Sequence, residues 1–292
     1  MSRRASGCIM MQILVHNYST MQVTPEENPE AEGRLAAPAD LAEAESAAET
    51  QPHLPVLYLD EALVAIHKPS GLLVHRTGLD AGERWFAVQL LRDQLGGRHV
   101  YPVHRLDKGT SGVLVFALSS SDAAAVAAQF AAHTIGKQYL AVVRGWPPEA
   151  GDIDHPLTHE TKDPQPALTR YRTLERITLP LQADRYPESR YALVEACPET
   201  GRTHQIRRHL KHLGHPIVGD TTHGVGAHNR LWRSAFGCHR MLLACTALEL
   251  NHPRTGQPLR LETAPAESFA GAWERARRMS LESGTLAPSV LP

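Results

Sequence analysis

From Val56 onward the chain is cut into short apolar runs separated by turn residues. The first are Val56-Leu-Tyr-Leu59 and Leu63-Val-Ala-Ile66, the second closed by Lys68-Pro-Ser-Gly71. Runs this short, bounded by Pro, Gly and Ser, suit strands better than long helices. Val113 to Leu118 is continuously apolar and reads as a buried strand; Lys137 to Arg144, Ala167 to Leu174 and Arg190 to Ala196 alternate or cluster β-branched and aromatic residues and look like strands, and Met241 to Leu250 is another. Helical spacing is confined to four places: Trp85 to Leu95, Ala123 to Ala132 behind the N-cap set Ser119-Ser-Ser-Asp122, a basic stretch from Thr203 to Leu213, and an amphipathic stretch from Ala266 to Met279. The pattern predicts an α+β fold with many strands, few helices and no solenoid repeat.

The preceding segment is different. It is rich in Ala, Glu and Pro and has no aromatic residue between Tyr18 and Tyr58, so it offers little surface to offset chain entropy. Residues 1–52 are predicted to be a disordered acidic tail, 53–282 one globular domain, and 283–292 a flexible C-terminal tail. With 42% hydrophobic residues in 292, the chain can bury a real core. No apolar run reaches the length of a membrane span. Arg3-Arg4 before an apolar run is only a faint leader pattern, because Gln12 interrupts the run. Cys8, Cys197, Cys238 and Cys245 form no C-x-x-C pair, which points away from zinc ribbons, thioredoxin-type sites and disulfide scaffolds and toward a reducing cytoplasm.

The net charge of −1 conceals a basic stretch: residues 201–240 hold Arg202, Arg207, Arg208, Lys211, Arg230, Arg233 and Arg240 against Asp220 alone, with seven of the 17 histidines. Such a segment can face a polyanion, since cations gain by displacing counterions from phosphates. Within it, a helix capped by Thr203 would bury Ile206, Leu210 and Leu213. At 100° per residue Arg207 then flanks the buried stripe while Arg208 faces out with Lys211. Gly214 ends this helix and Pro216 prevents its renewal. His209, His212 and His215 recur every third residue, but His215 lies past the terminator and no Cys or Glu completes a set, so they read as surface imidazoles near phosphate and no metal is expected.

A second motif is Tyr101-Pro-Val-His-Arg-Leu-Asp-Lys-Gly-Thr-Ser-Gly112. In extended backbone Arg105 and Asp107 share a side while Leu106 turns to the core. The glycines of 108–112 would let the backbone bend close to a ligand. The segment lacks phosphate-loop spacing and runs into a strand where such a loop needs a helix, so nucleotide binding is excluded.

His104-Arg-Leu-Asp-Lys-Gly-Thr-Ser-Gly-Val113 together with Gly201-Arg-Thr-His-Gln-Ile-Arg207 resembles the signature pair of the RluA-type pseudouridine synthases. The likeness extends to Lys68-Pro-Ser-Gly71, Lys137-Gln-Tyr139 and His215-Pro-Ile-Val-Gly-Asp220, and so covers most of the chain from Val56 to Leu261. Leu73-Val-His75 and the 165–187 insert are similar to the tRNA pseudouridine synthase C group, which acts on uridine 65 in the T-stem of tRNA. Lys108-Gly109 departs from the Arg-Pro of close members. The resemblance implies a single domain with a mixed, largely antiparallel sheet crossed by an RNA cleft, no cofactor, RNA as partner and action as a monomer. It implies Asp107 as the essential carboxylate, Arg207 as its cationic partner and Tyr139 stacked on the uracil and helping to remove its carbon 5 proton. It also implies Arg105 as the residue that fills the stack left by a flipped nucleotide. Arg202, Arg208, Lys211, Arg230 and Arg233 are the expected RNA contacts. Rival readings are a ribosomal-RNA substrate, a catalytically silent RNA-binding protein, and a nucleoside hydrolase, which needs a second carboxylate.

Overall fold

Alternation along β5 (Gly136–Arg144) shows how the chain builds its layers. Leu140 and Val142 join one buried cluster while Ala141 and Val143 join another, so this strand is covered on both faces. β8 (Ser189–Pro198) does the same with Tyr191 and Leu193 against Ala192 and Val194. The computed structural model describes residues 51–76, 82–158 and 163–284, and residues from Leu54 onward form one compact unit. Of the expected tails, 1–50 and 285–292 lie outside the described residues.

The remaining strands are β1 (Val56–Leu59), β2 (Leu63–Lys68), β3 (Tyr101–Pro102), β4 (Ser111–Ala117), β6 (Ala150–Asp154), β7 (Leu168–Leu179), β9 (Leu243–Asn251) and β10 (Pro258–Glu262). They join one mixed sheet in the order β1-β2-β4-β9-β5-β8-β7-β6, with β10 on β9 and β3 on β4. Every named pairing is antiparallel except β4 with β9, which is parallel and touches only at Ser111 with Ala244 and Gly112 with Cys245. This short seam divides the sheet.

On the edge of β4 away from β2, Val115 falls between the contacts with β9 at Ser111 and Gly112 and those with β3 at Phe116 and Ala117. There the ring of His104 takes the place of a strand, its Nε2 accepting the Val115 N–H at 3.0 Å. The glycine freedom expected of 108–112 goes largely to the seam. Gly112 has φ +111°, and a Cβ there would stand 1.9 Å from the Cys245 carbonyl oxygen, so it serves strand packing.

The helices among the described residues are α1 (Ala87–Gln94), α2 (Ser120–Ala131), α3 (Gln205–His212), α4 (Gly226–Phe236) and α5 (Glu267–Glu282). Ser119 caps α2 as its sequence suggests, its side chain accepting the Asp122 N–H. α4 and α5 cover one face of the later half of the sheet with Trp232, Phe236, Phe269 and Trp273. α3 covers the other with Ile206 and Leu210.

α3 departs from expectation at its start. Thr203 is not the cap; His204 is, in the left-handed conformation at φ 54°, and it makes no side-chain cap bond. The histidines also depart. His209 is fully buried, its Nε2–H donating to the His155 carbonyl (3.0 Å) and its Nδ1 beside the Thr169 hydroxyl (2.9 Å). His215 Nδ1–H donates to the Arg144 carbonyl. These two rings are structural, and only His212, stacked on His155, remains a surface imidazole.

Candidate active site

Asp107 sits in the turn between β3 and β4, and the backbone of that turn is held from several sides. Thr110 N–H returns to the Asp107 carbonyl, and Gly71 N–H and Lys68 Nζ both donate to the Lys108 carbonyl. Ser70 Oγ donates to the Gly109 carbonyl. Lys68 is fully buried and also donates to the carbonyls of Pro69 and Leu72. Burial, and repulsion from Arg240, push its pKa down to about 7, and attraction to Asp107 opposes this. Three carbonyl acceptors match the three donors of an ammonium, so the protonated form fits this nest at neutral pH. The paired loops 68–72 and 107–110 fix the backbone under Asp107, while Leu106 anchors it in the core.

Arg207 comes from α3 and reaches Asp107 Oδ2 with Nη1 at 3.0 Å. Its other edge forks onto Asp220, Nε to Oδ2 at 2.7 Å and Nη2 to Oδ1 at 2.9 Å. Burial works against these charges, but the bonds outweigh it: the Arg207 pKa is raised and the Asp220 pKa lowered. The guanidinium is thereby oriented as a plane with one free edge for Asp107. The Asp107 side chain is 22% exposed and, among the described residues, Oδ1 makes no hydrogen bond, so one carboxylate oxygen is held while the other is uncommitted.

That cavity has a volume of about 370 Å³ and is lined by Arg105, Asp107, Tyr139, Arg202, His204 and Arg207 among others. Tyr139 stands on β5 in the rung Gly112, Cys245, Tyr139. Burial, the neighbouring Cys245 thiol and then Asp107 hold its pKa well above the ordinary value. The phenol stays protonated. Its ring lines the cavity beside Asp107 and Arg207.

The other expected residues fall into three places. Arg105 and Arg202 line the cavity, Arg202 Nε donating to the Pro166 carbonyl. Arg208 leaves α3 away from the cavity, its Nη1 donating to the Thr158 carbonyl at 2.8 Å, while Lys211 is exposed one turn on from Arg207, near His223. Arg230 and Arg233 are exposed on α4 and do not line the cavity. Arg240 turns inward to Ser111 Oγ, Ser268 Oγ and the Met241 carbonyl. The basic stretch is therefore less of a surface than its charge count suggests.

A profile of the family described as RNA pseudouridylate synthase matches residues 62–212, from β2 through α3. The chain belongs to this family. Among its relatives, the tRNA pseudouridine synthase C of Vibrio cholerae is 49% identical over 229 residues, covering 75% of this chain and 93% of that protein. The Pectobacterium carotovorum tRNA pseudouridine synthase C is 50% identical over 220 residues, 72% of this chain and 58% of a longer protein. The solved structure of human RNA Pseudouridylate Synthase Domain Containing 4 superposes with a TM-score of 0.60 at 27% identity, covering 76% of this chain and 93% of that one.

The chain is thus an isomerase of the pseudouridine synthase class, built as an α+β domain. Sequence reasoning gave no role to Asp220, Lys68, His204 or His223. Asp220 carried a signal, being the single acid in the basic stretch. The others needed the fold to bring them near Asp107.

Proposed function

We propose that this synthase converts uridine 65 in the T-stem of tRNA to pseudouridine, with Asp107 as the reacting carboxylate. The observation that carries the reading is the bond between Arg207 and Asp107 Oδ2 in a cavity that also holds Tyr139. The reaction breaks the N1–C1′ bond, joins C5 to C1′, and moves the carbon 5 proton to solvent while N1 gains one, so the RNA keeps its mass. Arg207 aims Asp107 by holding its Oδ2 at 3.0 Å, an orientation that a nucleophilic carboxylate requires. Tyr139 stacks on the uracil, Arg105 fills the vacated stack, and Arg202, Arg208, Lys211, Arg230 and Arg233 approach phosphates. The tRNA substrate is supported by the names of the relatives at 49% and 50% identity.

A hydrolase would need a second carboxylate open to substrate. The nearest candidate, Asp220, has a fully buried side chain taken up by Arg207, which favours isomerisation. In this reading the chain works in the cytoplasm as a monomer with RNA as its partner. No helix among the described residues is long and apolar enough to cross a membrane.

The test is site-by-site pseudouridine mapping of total RNA from cells with and without the gene, and after incubation with the purified protein. Loss and restoration of a single signal at tRNA uridine 65 is expected. A signal at a ribosomal-RNA uridine would overturn the substrate, and released uracil would overturn the chemistry. Asp107→Asn, which removes the charge at constant shape, is expected to abolish the signal with RNA affinity nearly unchanged.

A further inference from the structure

His204 occupies a conformation that histidine rarely adopts, φ 54° and ψ 27°, at the mouth of α3. Such a backbone carries a cost in strain and persists only where its surroundings hold it. The consequence is a ring at the cavity edge whose Nε2 stands 3.9 Å from Asp107 Oδ2. Its other nitrogen, Nδ1, is 3.1 Å from Nε2 of His223, with the two rings edge to face. The His223 backbone N–H, not its ring, donates to Asp220 Oδ1 at 2.9 Å, the oxygen that also accepts from Arg207 Nη2. The contacts close a circuit: Asp107, Arg207, Asp220, His223, His204 and back to Asp107.

We propose that the His204–His223 pair is a positioning device for the reacting carboxylate: His223 sets the tautomer of His204 so that a neutral Nε2–H faces Asp107. The proposal rests on the pseudouridine synthase reading of the site. A bond between two imidazole nitrogens holds one proton. When His223 Nε2–H donates to His204 Nδ1, the neutral His204 carries its proton on Nε2, on the side of Asp107. At 3.9 Å this donor is poised, and a shift of about 1 Å on closure around RNA makes it a hydrogen bond. Asp107 Oδ2 is then held by Arg207 and His204, leaving Oδ1 to react. The groups that face His204 are Asp107, Arg207, Asp220, Arg105 and His223, and those that face His223 are Asp220, Arg207, His204 and Lys211. Burial, the largest influence on both rings, lowers their pKa values and favours the neutral pair near pH 7.

The test compares His223→Phe, which keeps an aromatic ring but no nitrogen, with His204→Asn and His204→Gly. Asn tolerates the left-handed conformation and Gly relieves it. Single-turnover rate, RNA affinity and the pH–rate profile are measured on one tRNA substrate with wild type alongside. All three variants are expected to lose about ten- to a hundredfold in rate, with RNA affinity within about twofold. In His223→Phe, Nδ1 of His204 is freed to take a proton, so the acid limb of the profile should move up toward the ordinary histidine value of about 6.5. A His204→Gly rate equal to wild type would show that only the cap shape matters and overturn the proposal, as would a His223→Phe profile that superposes on wild type. Nitrogen-15 NMR of the histidine rings reads the tautomer without turnover, and a His204 proton on Nδ1 in the free protein would also overturn it. Wild type that makes no pseudouridine would instead overturn the reading on which the proposal stands.

Discussion

His104 shows how one side chain can be committed to the neutral form. Burial, with repulsion from Lys137, lowers its pKa to about 3, while its Nε2 accepts the Val115 N–H and its ring stacks on Phe130 at 5.1 Å. The unfolded chain takes up a proton near pH 6.5 that the folded chain refuses until about pH 3. Its contribution to stability is therefore complete above pH 6.5 and is lost as the pH falls toward 3. Between pH 7 and pH 4.5 this amounts to about 3 kcal/mol. Urea unfolding at the two pH values should show that His104→Asn, whose amide oxygen still accepts the strand N–H but does not titrate, loses less stability on acidification than wild type by about that amount. An equal loss in both proteins would mean that His104 is protonated in the fold near pH 6.5. The sequence marks His104 only as a motif residue; its strand-filling role depends on the gap between β9 and β3 along the edge of β4 away from β2.

At the scale of elements, α3 separates its two arginines. Arg208→Ala should weaken RNA binding and lower the salt slope by roughly 0.7 to 0.9, with the single-turnover rate held. Arg207→Lys keeps a charge but loses the fork, so it should lower the rate about tenfold or more at saturating protein. Filter binding across a salt series and single-turnover assays on both variants check this; parallel losses would mean one undivided binding face. The stripe Ile206, Leu210 that separates the arginines was legible because its period is that of a helix. β2, β4, β5, β8, β9 and α5 were legible on the same ground, each with enough apolar residues at a fixed period. Edge strands β6 and β10 were not, since Ile153 and Leu261 are their only buried residues. α4 was missed because no side chain caps it, although His228, Trp232 and Phe236 recur every fourth residue. The start of α3 was misread because Thr203 is the better cap by propensity, and tertiary contacts gave that place to His204. Asp107, Arg207 and Tyr139, which the motifs singled out, line one cavity. The circuit through Asp220 and His223 joins residues whose relation exists only after α3 packs on the sheet.

For the whole molecule, the decisive feature is the seam between β4 and β9. Asp107 precedes β4, and Tyr139 lies across Cys245 of β9, so the two halves of the cavity meet over the two residue pairs of this parallel contact. Gly112→Ala places a Cβ against the Cys245 backbone in a conformation that disfavours any side chain. The expected cost is about 3 kcal/mol or more, with a loss of turnover beyond what the fall in stability explains, because the strands must part where the cavity is built. Urea unfolding and single-turnover kinetics on the same preparation measure both; wild-type values would show that the strands can separate there without disturbing the site. The same seam sets an order on biosynthesis. A ribosome releases the strand that follows Asp107 long before it makes Ala244 and Cys245, so the newly made chain holds Asp107 without the strand that completes the pocket, and the cavity exists only when β9 has emerged and slotted in beside it.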